Sequence, residues 1–487
     1  MLSNRSKCIE GTNWTLDGLS GTAGIKRASG VEVGPSLSGD DWISVKAEID
    51  KCLYGPGGEV SERARAMELG RLYLDLDEQG RERFFQLLAT QYDIDRTALS
   101  STIAAWNELY QHPESTRAHI DGLHRATEGA LRERLTAPRV RLLARFNGLS
   151  EGVKFLVDMR SELIPLARKD PVLKGLDDDL KALLVGWFDV GFLDLQCITW
   201  DAPASLLEKL AYYEAVHAVT SWGDIKNRLA PPDRRCYAYF HPQMPNEPLI
   251  FVWVALVKGM SGNVQTLLDA KRRTVQDPSD ADTAIFYSIS NAQSGLAGIS
   301  FGNFLIKRVV KDLVNRYGHI KTFATLSPIP GFRGWLNERI AEEGDSLLAA
   351  DELQALSSMA NASAAKGVRE GAQGTEALTM LCDQKDWYQR PEITQVLQGL
   401  LIRLCTRYLT QAKRGKYARN RVAHFHLSNG ARMERINWLG DTSKKGIEDS
   451  AGMMINYLYE ANDIEKNHEA YTRDGKIAVS EGFGELL

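Results

Sequence analysis

Residues 282–335 read DTAIFYSISNAQSGLAGISFGNFLIKRVVKDLVNRYGHIKTFATLSPIPGFRGW. The stretch opens with Thr283-Ala-Ile-Phe-Tyr-Ser-Ile-Ser290, β-branched and aromatic residues suited to a half-buried strand. Gly295, Gly298 and Gly302 then mark a turn, behind which Phe304, Leu305, Val309, Leu313 and Tyr317 recur at helical spacing. Gly318 is placed to end that helix, and Phe323-Ala-Thr-Leu326 reads as the next strand. This second strand delivers Ser327 into Pro328-Ile-Pro-Gly331, a turn too rich in proline to continue a ladder. Strand, glycine turn, helix, strand, and a polar residue at the strand end is one way to hold a phosphate-bearing ligand on an α/β scaffold. Amides at the helix N-terminus face the phosphates, and the helix dipole adds to the attraction. On their own, the glycines read first as an ordinary tight turn.

Outside this stretch the composition is that of an ordinary globular protein. The 487 residues are 44% hydrophobic and 25% charged, which predicts two domains. A net charge of -4 gives no ground for a nucleic-acid or membrane-surface partner. No apolar run is long enough to span a bilayer, and residues 249–257 form a strand-sized one. The first residues lack the apolar core of a signal peptide, and the last are not a Ser-Lys-Leu tripeptide, so a cytoplasmic location is expected. The cysteines at 8, 52, 197, 236, 382 and 405 form no CxxC pair and have no histidine at metal-ligand spacing. They read as scattered reduced thiols, and no metal site is expected.

The pattern predicts an α+β chain, with a mostly helical N-terminal bundle followed by an α/β domain that carries a helical insertion. Residues 1–40 are glycine- and serine-rich and are expected to form a mobile tail. Residues 41–184 read as the bundle. Ser61 is a candidate helix cap, Leu69, Leu72, Tyr73 and Leu76 share a face, and Phe84, Phe85, Leu87 and Leu88 extend the apolar supply. Leu156, Met159, Leu163 and Leu166 form a further stripe, closed or kinked at Pro165. Arg132, Arg134, Arg139, Arg141 and Arg145, with Glu128 and Glu133 among them, read as a solvated helix face. This bundle is expected to carry no chemistry of its own and to build a homo-oligomer, a dimer or tetramer.

Residues 185–470 read as the second domain and 471–487 as a tail. Strands are expected at 193–200, 236–240 and 249–257, with a helix over 204–221 that carries Lys209, Glu214 and His217. An insertion at about 337–408 reads as helices. Residues 424–427 look strand-like, and the Asn429-Gly430 pair signals a hairpin to a strand at 433–439. Residues 453–460 read as helical.

The combination YSIS…QxGLxG…GxFLIKRVVK…LSPIPGF resembles malonyl-CoA decarboxylase. So do His241-Pro-Gln-Met-Pro-Asn-Glu-Pro-Leu249 with Val254-Ala-Leu256, Glu214-Ala-Val-His217 with Trp222, and His426-Leu-Ser-Asn-Gly-Ala431 followed by Arg435-Ile-Asn-Trp438. These blocks keep the family's order over residues 187–459. The resemblance implies a catalytic domain of the GNAT acetyltransferase type, malonyl-CoA as substrate, and acetyl-CoA and CO2 as products. Losing CO2 from malonyl-CoA leaves an enolate on the thioester oxygen. The enzyme must therefore hold donors at that oxygen and supply a proton to carbon. The thioester is the electron sink, so no cofactor is expected, coenzyme A being part of the substrate.

The family's serine and histidine map onto Ser327 and His426, and a tyrosine near its active site maps onto Tyr459. Residue alternation alone leaves His424 and His426 equivalent, and the motif FHLxNGA selects His426. LSPIPG is no nucleophile elbow, so Ser327 is expected to handle the malonyl group and proton traffic without an acyl-enzyme. The resemblance assigns the coenzyme A pyrophosphate to the βα turn. Ala297, Gly298, Ile299, Ser300, Phe301, Gly302 and Asn303 would form the cradle, with Ile306, Lys307 and Arg308 in the helix behind it. Some members carry glutamate at the position of Ser300, so that carboxylate's role does not transfer. The Asn420-Arg421 pair departs from a proline-bearing version. Lys209, Glu214 and His217 read as structural. A GNAT-type acyltransferase using acetyl-CoA is the alternative, since fold does not fix function. A dead catalytic domain kept for interactions and a serine hydrolase stand further off.

Overall fold

The structure, a computed structural model, describes residues 33–111, 117–271, 275–299, 305–362 and 371–486. The first 32 residues of the expected tail therefore lie outside the described residues, as do Ser300, Phe301, Gly302 and Asn303 of the expected cradle. The chain forms two compact units. The first comprises Met1–Leu193, His241–Glu247 and Gln293–Ile299, and the second Asp194–Phe240, Pro248–Ala292 and Ser300–Leu487.

The first unit is helical, as its periodicity predicts. Its helices include Asp41–Tyr54, Glu59–Leu74, Glu78–Gln91, Gly152–Ala167 and Pro171–Trp187. Leu69, Leu72, Tyr73, Leu76, Phe84, Phe85 and Leu88 are all buried, and Tyr73 packs edge-on to Phe84 and Phe155. Ser61 is not the cap. The helix begins two residues earlier behind Gly58, which leaves the serine inside its first turn. Pro165 lies inside its helix, which runs on to Ala167.

The second unit is built on one sheet. Its strands are β1 (Asp194–Ile198), β2 (Arg234–Phe240), β3 (Ile250–Val257), β4 (Thr283–Asn291), β5 (Thr322–Thr325) and β6 (Ser327–Pro328). A separate ribbon, β7 (Lys413–Arg414) with β8 (Tyr417–Ala418), precedes β9 (Arg432–Asn437) and β10 (Met454–Leu458). The sheet order is β1-β2-β3-β4-β5-β10-β6, with β9 also paired to β10. Every residue of β3 is buried, which explains its unbroken apolar run IFVWVALV: a central strand covered on both faces needs no alternation. Strands β4 and β5 are parallel, Thr283 opposite Thr322 and Phe286 opposite Thr325, and the Leu305–Arg316 helix lies between them in the chain. This is the strand–helix–strand unit read from the opening stretch.

Alternation along β4 is interrupted once. Trp253 pairs with Ser288 and Val254 with Phe286, so Tyr287 is the extra residue of a β-bulge. One face of the sheet carries Trp253, Tyr287, Ala324, Leu326 and Met454 in an apolar cluster with Leu206, Leu207, Leu210 and Ile225. Those last four come from the helices Ala204–Tyr213 and Trp222–Leu229. The expected insertion is helical, with Ala350–Ala362, Gly374–Asp383 and Pro391–Gln411.

Further expectations are corrected. The 204–221 helix stops at Tyr213, so Glu214 and His217 lie in the following loop. Residues 454–458 form a buried strand, because a short apolar run such as Met-Ile-Asn-Tyr-Leu cannot be told from a helix by periodicity. Residues 421–428 form a helix. Asn420 caps its start, accepting the Ala423 N–H at 2.8 Å, and Gly430 ends it in the left-handed region at φ +81°. The Asn-Gly pair is thus a helix stop rather than a hairpin turn, with the Ala431 N–H returned to the His426 carbonyl at 3.1 Å.

A Cβ on Gly430 would lie 2.0 Å from the Ile464 carbonyl oxygen. Gly430→Ala is therefore expected to cost more than the roughly 1–2 kcal/mol of left-handed backbone strain alone. Denaturant unfolding would read this as a lower midpoint at unchanged slope.

Candidate active site

Ser327 and His426 are separated by 99 residues, yet Ser327 Oγ lies 3.1 Å from His426 Nε2, and both side chains are buried. Each is delivered by a short rigid element. Ser327 sits in β6, whose backbone is paired with Ile455 of β10. His426 is on the Arg421–Ser428 helix. The turn after Ser327 is tied to the start of that helix through one atom: the Pro330 carbonyl oxygen accepts Asn420 Nδ2–H and Tyr408 O–H, each at 2.9 Å. Asn420 thus both caps the helix that carries His426 and holds the serine turn.

The other ring nitrogen, His426 Nδ1, lies 2.8 Å from the Tyr459 hydroxyl, so the three residues expected at the site form one connected chain. Its polarity follows from counting protons. Ser327 donates its single hydroxyl proton to Thr325 Oγ1 at 2.8 Å, and that oxygen also accepts the Tyr457 N–H at 3.1 Å. The bond between serine and histidine then requires the proton on Nε2, and Nδ1 accepts from Tyr459. Tyr457 stacks on the imidazole, with ring centroids 4.5 Å apart and planes at 25°.

Burial alone drives the His426 pKa from 6.5 down to about 3, and burial lifts the Tyr459 phenol well above its usual range. Near neutral pH the chain is therefore neutral throughout, with an Nε2–H donor and a protonated phenol behind it. Such an arrangement polarises an oxygen with a neutral imidazole and relays protons through a hydroxyl. His424 does not compete. On a helix, two positions turn it away from His426, and its Nδ1 meets the Tyr471 hydroxyl at 3.0 Å.

The remaining candidates separate. Gly298 is in the left-handed region at φ +78°, and the Ala297 and Ile299 amides are used within the turn, by the Ser294 and Leu296 carbonyls. In the second unit Ile306 is buried, while Lys307 and Arg308 are exposed on their helix, the Arg308 guanidinium 5.7 Å from the Tyr239 ring centroid. Glu214 is a buried carboxylate. It accepts from Trp253 Nε1 at 2.7 Å, from the Ser288 hydroxyl, and from the Val216 and His217 amides at 2.8 and 2.9 Å. Its anchor Trp253 faces the apolar cluster with Ala324 and Leu326, whereas Thr325 and Ser327 alternate to the opposite face. His217 is buried, which lowers its pKa, and Lys209 is half-buried on the Ala204–Tyr213 helix. Glu214 and His217 build the loop after that helix, and Glu214 stands on the other side of the sheet from the serine–histidine pair.

Sequence reasoning missed Thr325, Tyr457 and Tyr408. Period-two spacing points to the first two: Thr325 precedes Ser327 by two residues, and Tyr457 precedes Tyr459 by two. Nothing local marks Tyr408, which reaches the site from the insertion.

A buried, uncharged hydroxyl–imidazole–phenol chain at the end of a parallel strand–helix–strand unit has the chemistry an acid–base enzyme on an α/β domain requires. Comparison with known proteins gives the family. Residues 191–487 match the malonyl-CoA decarboxylase C-terminal domain and residues 92–188 the malonyl-CoA decarboxylase N-terminal domain. The mitochondrial malonyl-CoA decarboxylase of Anser anser anser is 38% identical over 94% of this chain and 92% of its own length. That of Mus musculus is 36% identical over 89% and 84%. Among solved structures, malonyl-CoA decarboxylase from Rhodopseudomonas palustris is 38% identical with a TM-score of 0.78, covering 91% of this chain and 99% of that one. The Agrobacterium vitis protein gives 35% and 0.77 over the same shares. The chain belongs to the malonyl-CoA decarboxylase family, and with it to the carboxy-lyases.

The depressed histidine pKa makes a pH prediction. The folded value lies below the unfolded 6.5, so the unfolded chain binds the extra proton first. Stability from this residue is complete above pH 6.5 and declines as pH falls toward about 3. His426→Gln should flatten the fall in unfolding free energy across that window. The wild-type turnover profile should show no loss of rate centred near 6.5 that disappears with the histidine.

Proposed function

We propose that the protein converts malonyl-CoA to acetyl-CoA and CO2 through a thioester enolate protonated at carbon, using Ser327, His426 and Tyr459. The observation that carries this reading is the 3.1 Å contact between Ser327 Oγ and His426 Nε2 in a buried, uncharged setting. The bond from the carboxylate carbon to the methylene carbon breaks, and its electron pair moves onto the thioester oxygen. His426 Nε2–H donates to that oxygen as charge develops there, where a neutral donor in a buried site is most effective. The methylene carbon then takes a proton from the serine–histidine pair, which regains one from water. Tyr459 holds the imidazole with the proton on Nε2. The thioester accepts the electron pair, so the reaction as drawn asks for neither a metal nor an organic cofactor.

The coenzyme A moiety is assigned to the turn around Gly298 and to the helix carrying Ile306, Lys307 and Arg308. Two further assignments concern setting. Cys52, Cys197, Cys236, Cys382 and Cys405 are all free thiols, which supports the cytoplasm, a reducing compartment. No helix among the described residues is long and apolar enough to cross a membrane. Trp42, Ile43, Tyr54 and Val60 on the first two helices are exposed, Val60 to 84%, and this supports a homo-oligomer formed through the helical unit. Light scattering should report more than one subunit for the wild type and fewer for Val60→Glu.

His426→Ala and Ser327→Ala should each lower kcat by on the order of a hundredfold to ten-thousandfold, with coenzyme A affinity nearly unchanged. The double variant should lose less than the product of the two, because both act through one hydrogen bond. His424→Ala should keep most activity. Acetyl-CoA formed from malonyl-CoA alone, with no amine acceptor, separates this reading from acyl transfer, and activity surviving a chelator separates it from metal catalysis. Near-normal CO2 release by folded His426→Ala would refute the assignment.

A further inference from the structure

The helical unit, read from its sequence as chemically inert, holds a lysine that makes no ion pair among the described residues and lies against a turn of the same unit. Residues Gln293–Ile299 belong to this unit and form a short turn, Ser294–Leu296, against the Gly152–Ala167 helix. The approach is close. A Cβ on Gly295 would lie 1.8 Å from the Val157 carbonyl oxygen, so only glycine fits. Arg160, 2% exposed, grips the turn by its carbonyls, donating from Nη1 to Gly295 O and, at 3.0 Å, to Ala297 O. Its charge is balanced by Asp177, which accepts Nε–H at 2.9 Å.

The carbonyl side of the turn is thus fixed from within the bundle, and its amides can be followed one by one. Leu296 N–H goes to Gln293 O at 3.1 Å, Ala297 N–H to Ser294 O at 3.1 Å, and Ile299 N–H to Leu296 O at 3.0 Å. The Gly298 N–H makes no such bond among the described residues. Lys181, on the Pro171–Trp187 helix, reaches the same point: a Cβ on Gly298 would lie 3.2 Å from Lys181 Nζ and 3.4 Å from its Cε. Arg139, Lys154, Arg160 and Lys174 of this unit are all paired with carboxylates. Lys181 makes no ion pair among the described residues, although its side chain is half-buried and lies along the turn rather than out in solvent.

We propose that Lys181 is a coenzyme A contact, its ammonium and the Gly298 N–H together holding an oxygen of the pyrophosphate. The chemistry favours this ligand group. An ammonium is a compact point charge suited to phosphate, and a glycine beside it lets the anion approach the backbone. A dianionic pyrophosphate can take both donors, and among the described residues neither has another acceptor. Arg160 is a positioning residue here. It holds the carbonyls that would otherwise repel the anion, while Lys181 supplies the charge. The inference rests on the reading of this turn as the pyrophosphate cradle, and it adds to that cradle a residue from the helical unit.

The test uses the full-length protein with Lys181→Met, which keeps the apolar stem, and Lys174→Met as a control for net charge on the same helix. Calorimetry with coenzyme A and dephospho-coenzyme A measures binding directly, and malonyl-pantetheine, which lacks phosphates, serves as a third probe in turnover. Lys181→Met should weaken both coenzyme forms by about tenfold or more, as expected for loss of a charged hydrogen bond. KM for malonyl-CoA should rise with kcat retained, and kcat/KM for malonyl-pantetheine should not change. Unchanged coenzyme A binding, an equal loss in Lys174→Met, or an equal loss with malonyl-pantetheine would each overturn the proposal. A wild-type protein that binds coenzyme A through Lys181 but releases no CO2 would overturn the proposed reaction and leave this contact standing. Failure of the wild type to bind coenzyme A at all would remove both.

Discussion

The hydrogen bond between Ser327 and His426 is the constraint to which the second unit is built. An imidazole buried without a neighbouring charge is costly unless each ring nitrogen finds a partner, and here Tyr459 and Ser327 supply them. Each partner is fixed in turn. Thr325 and the Tyr457 backbone set the serine hydroxyl, and pairing of β6 with β10 sets the serine backbone. The Pro330 carbonyl, held by Tyr408 and Asn420, ties the serine turn to the cap of the histidine helix. A shift in any of these elements would leave a buried polar atom unpaired, at roughly 1–3 kcal/mol for each one.

Much of this was legible in the sequence, for reasons that can be named. The strand–helix–strand unit of residues 283–325 was readable because its period changes from strand to helix and back, with glycine at each change. The fold class and the family followed from that unit and the blocks around it. Ser327, His426 and Tyr459 were found by motif, and the structure brings them together, although neither periodicity nor spacing could show that three segments 33 to 99 residues apart would meet.

What failed failed locally. The histidine segment Arg-Val-Ala-His-Phe-His-Leu alternates apolar and ring-bearing residues and reads as a strand. Tertiary context makes it a helix, because Asn420 caps one end and Gly430 stops the other. The β10 segment was misread in the opposite direction, and the bulge at Tyr287 leaves no mark that distinguishes it from regular alternation. The helical unit's part was illegible for a different reason. Lys181 and Arg160 are ordinary basic residues on amphipathic helices, and only the path of a segment more than a hundred residues away gives them a role.

That path also bears on how the chain is made. The helical unit is not finished at Leu193, since it also takes in His241–Glu247 and Gln293–Ile299. On the ribosome, where domains generally fold N-terminal first, its bundle can begin to assemble early. Its last piece, the turn that closes over Val157 and Arg160, is synthesised only after β1 to β4 of the other unit. The two units are therefore interleaved in time as well as in sequence, and Arg160 must wait through more than a hundred residues of translation, exposed or provisionally solvated, for the carbonyls it binds in the finished protein.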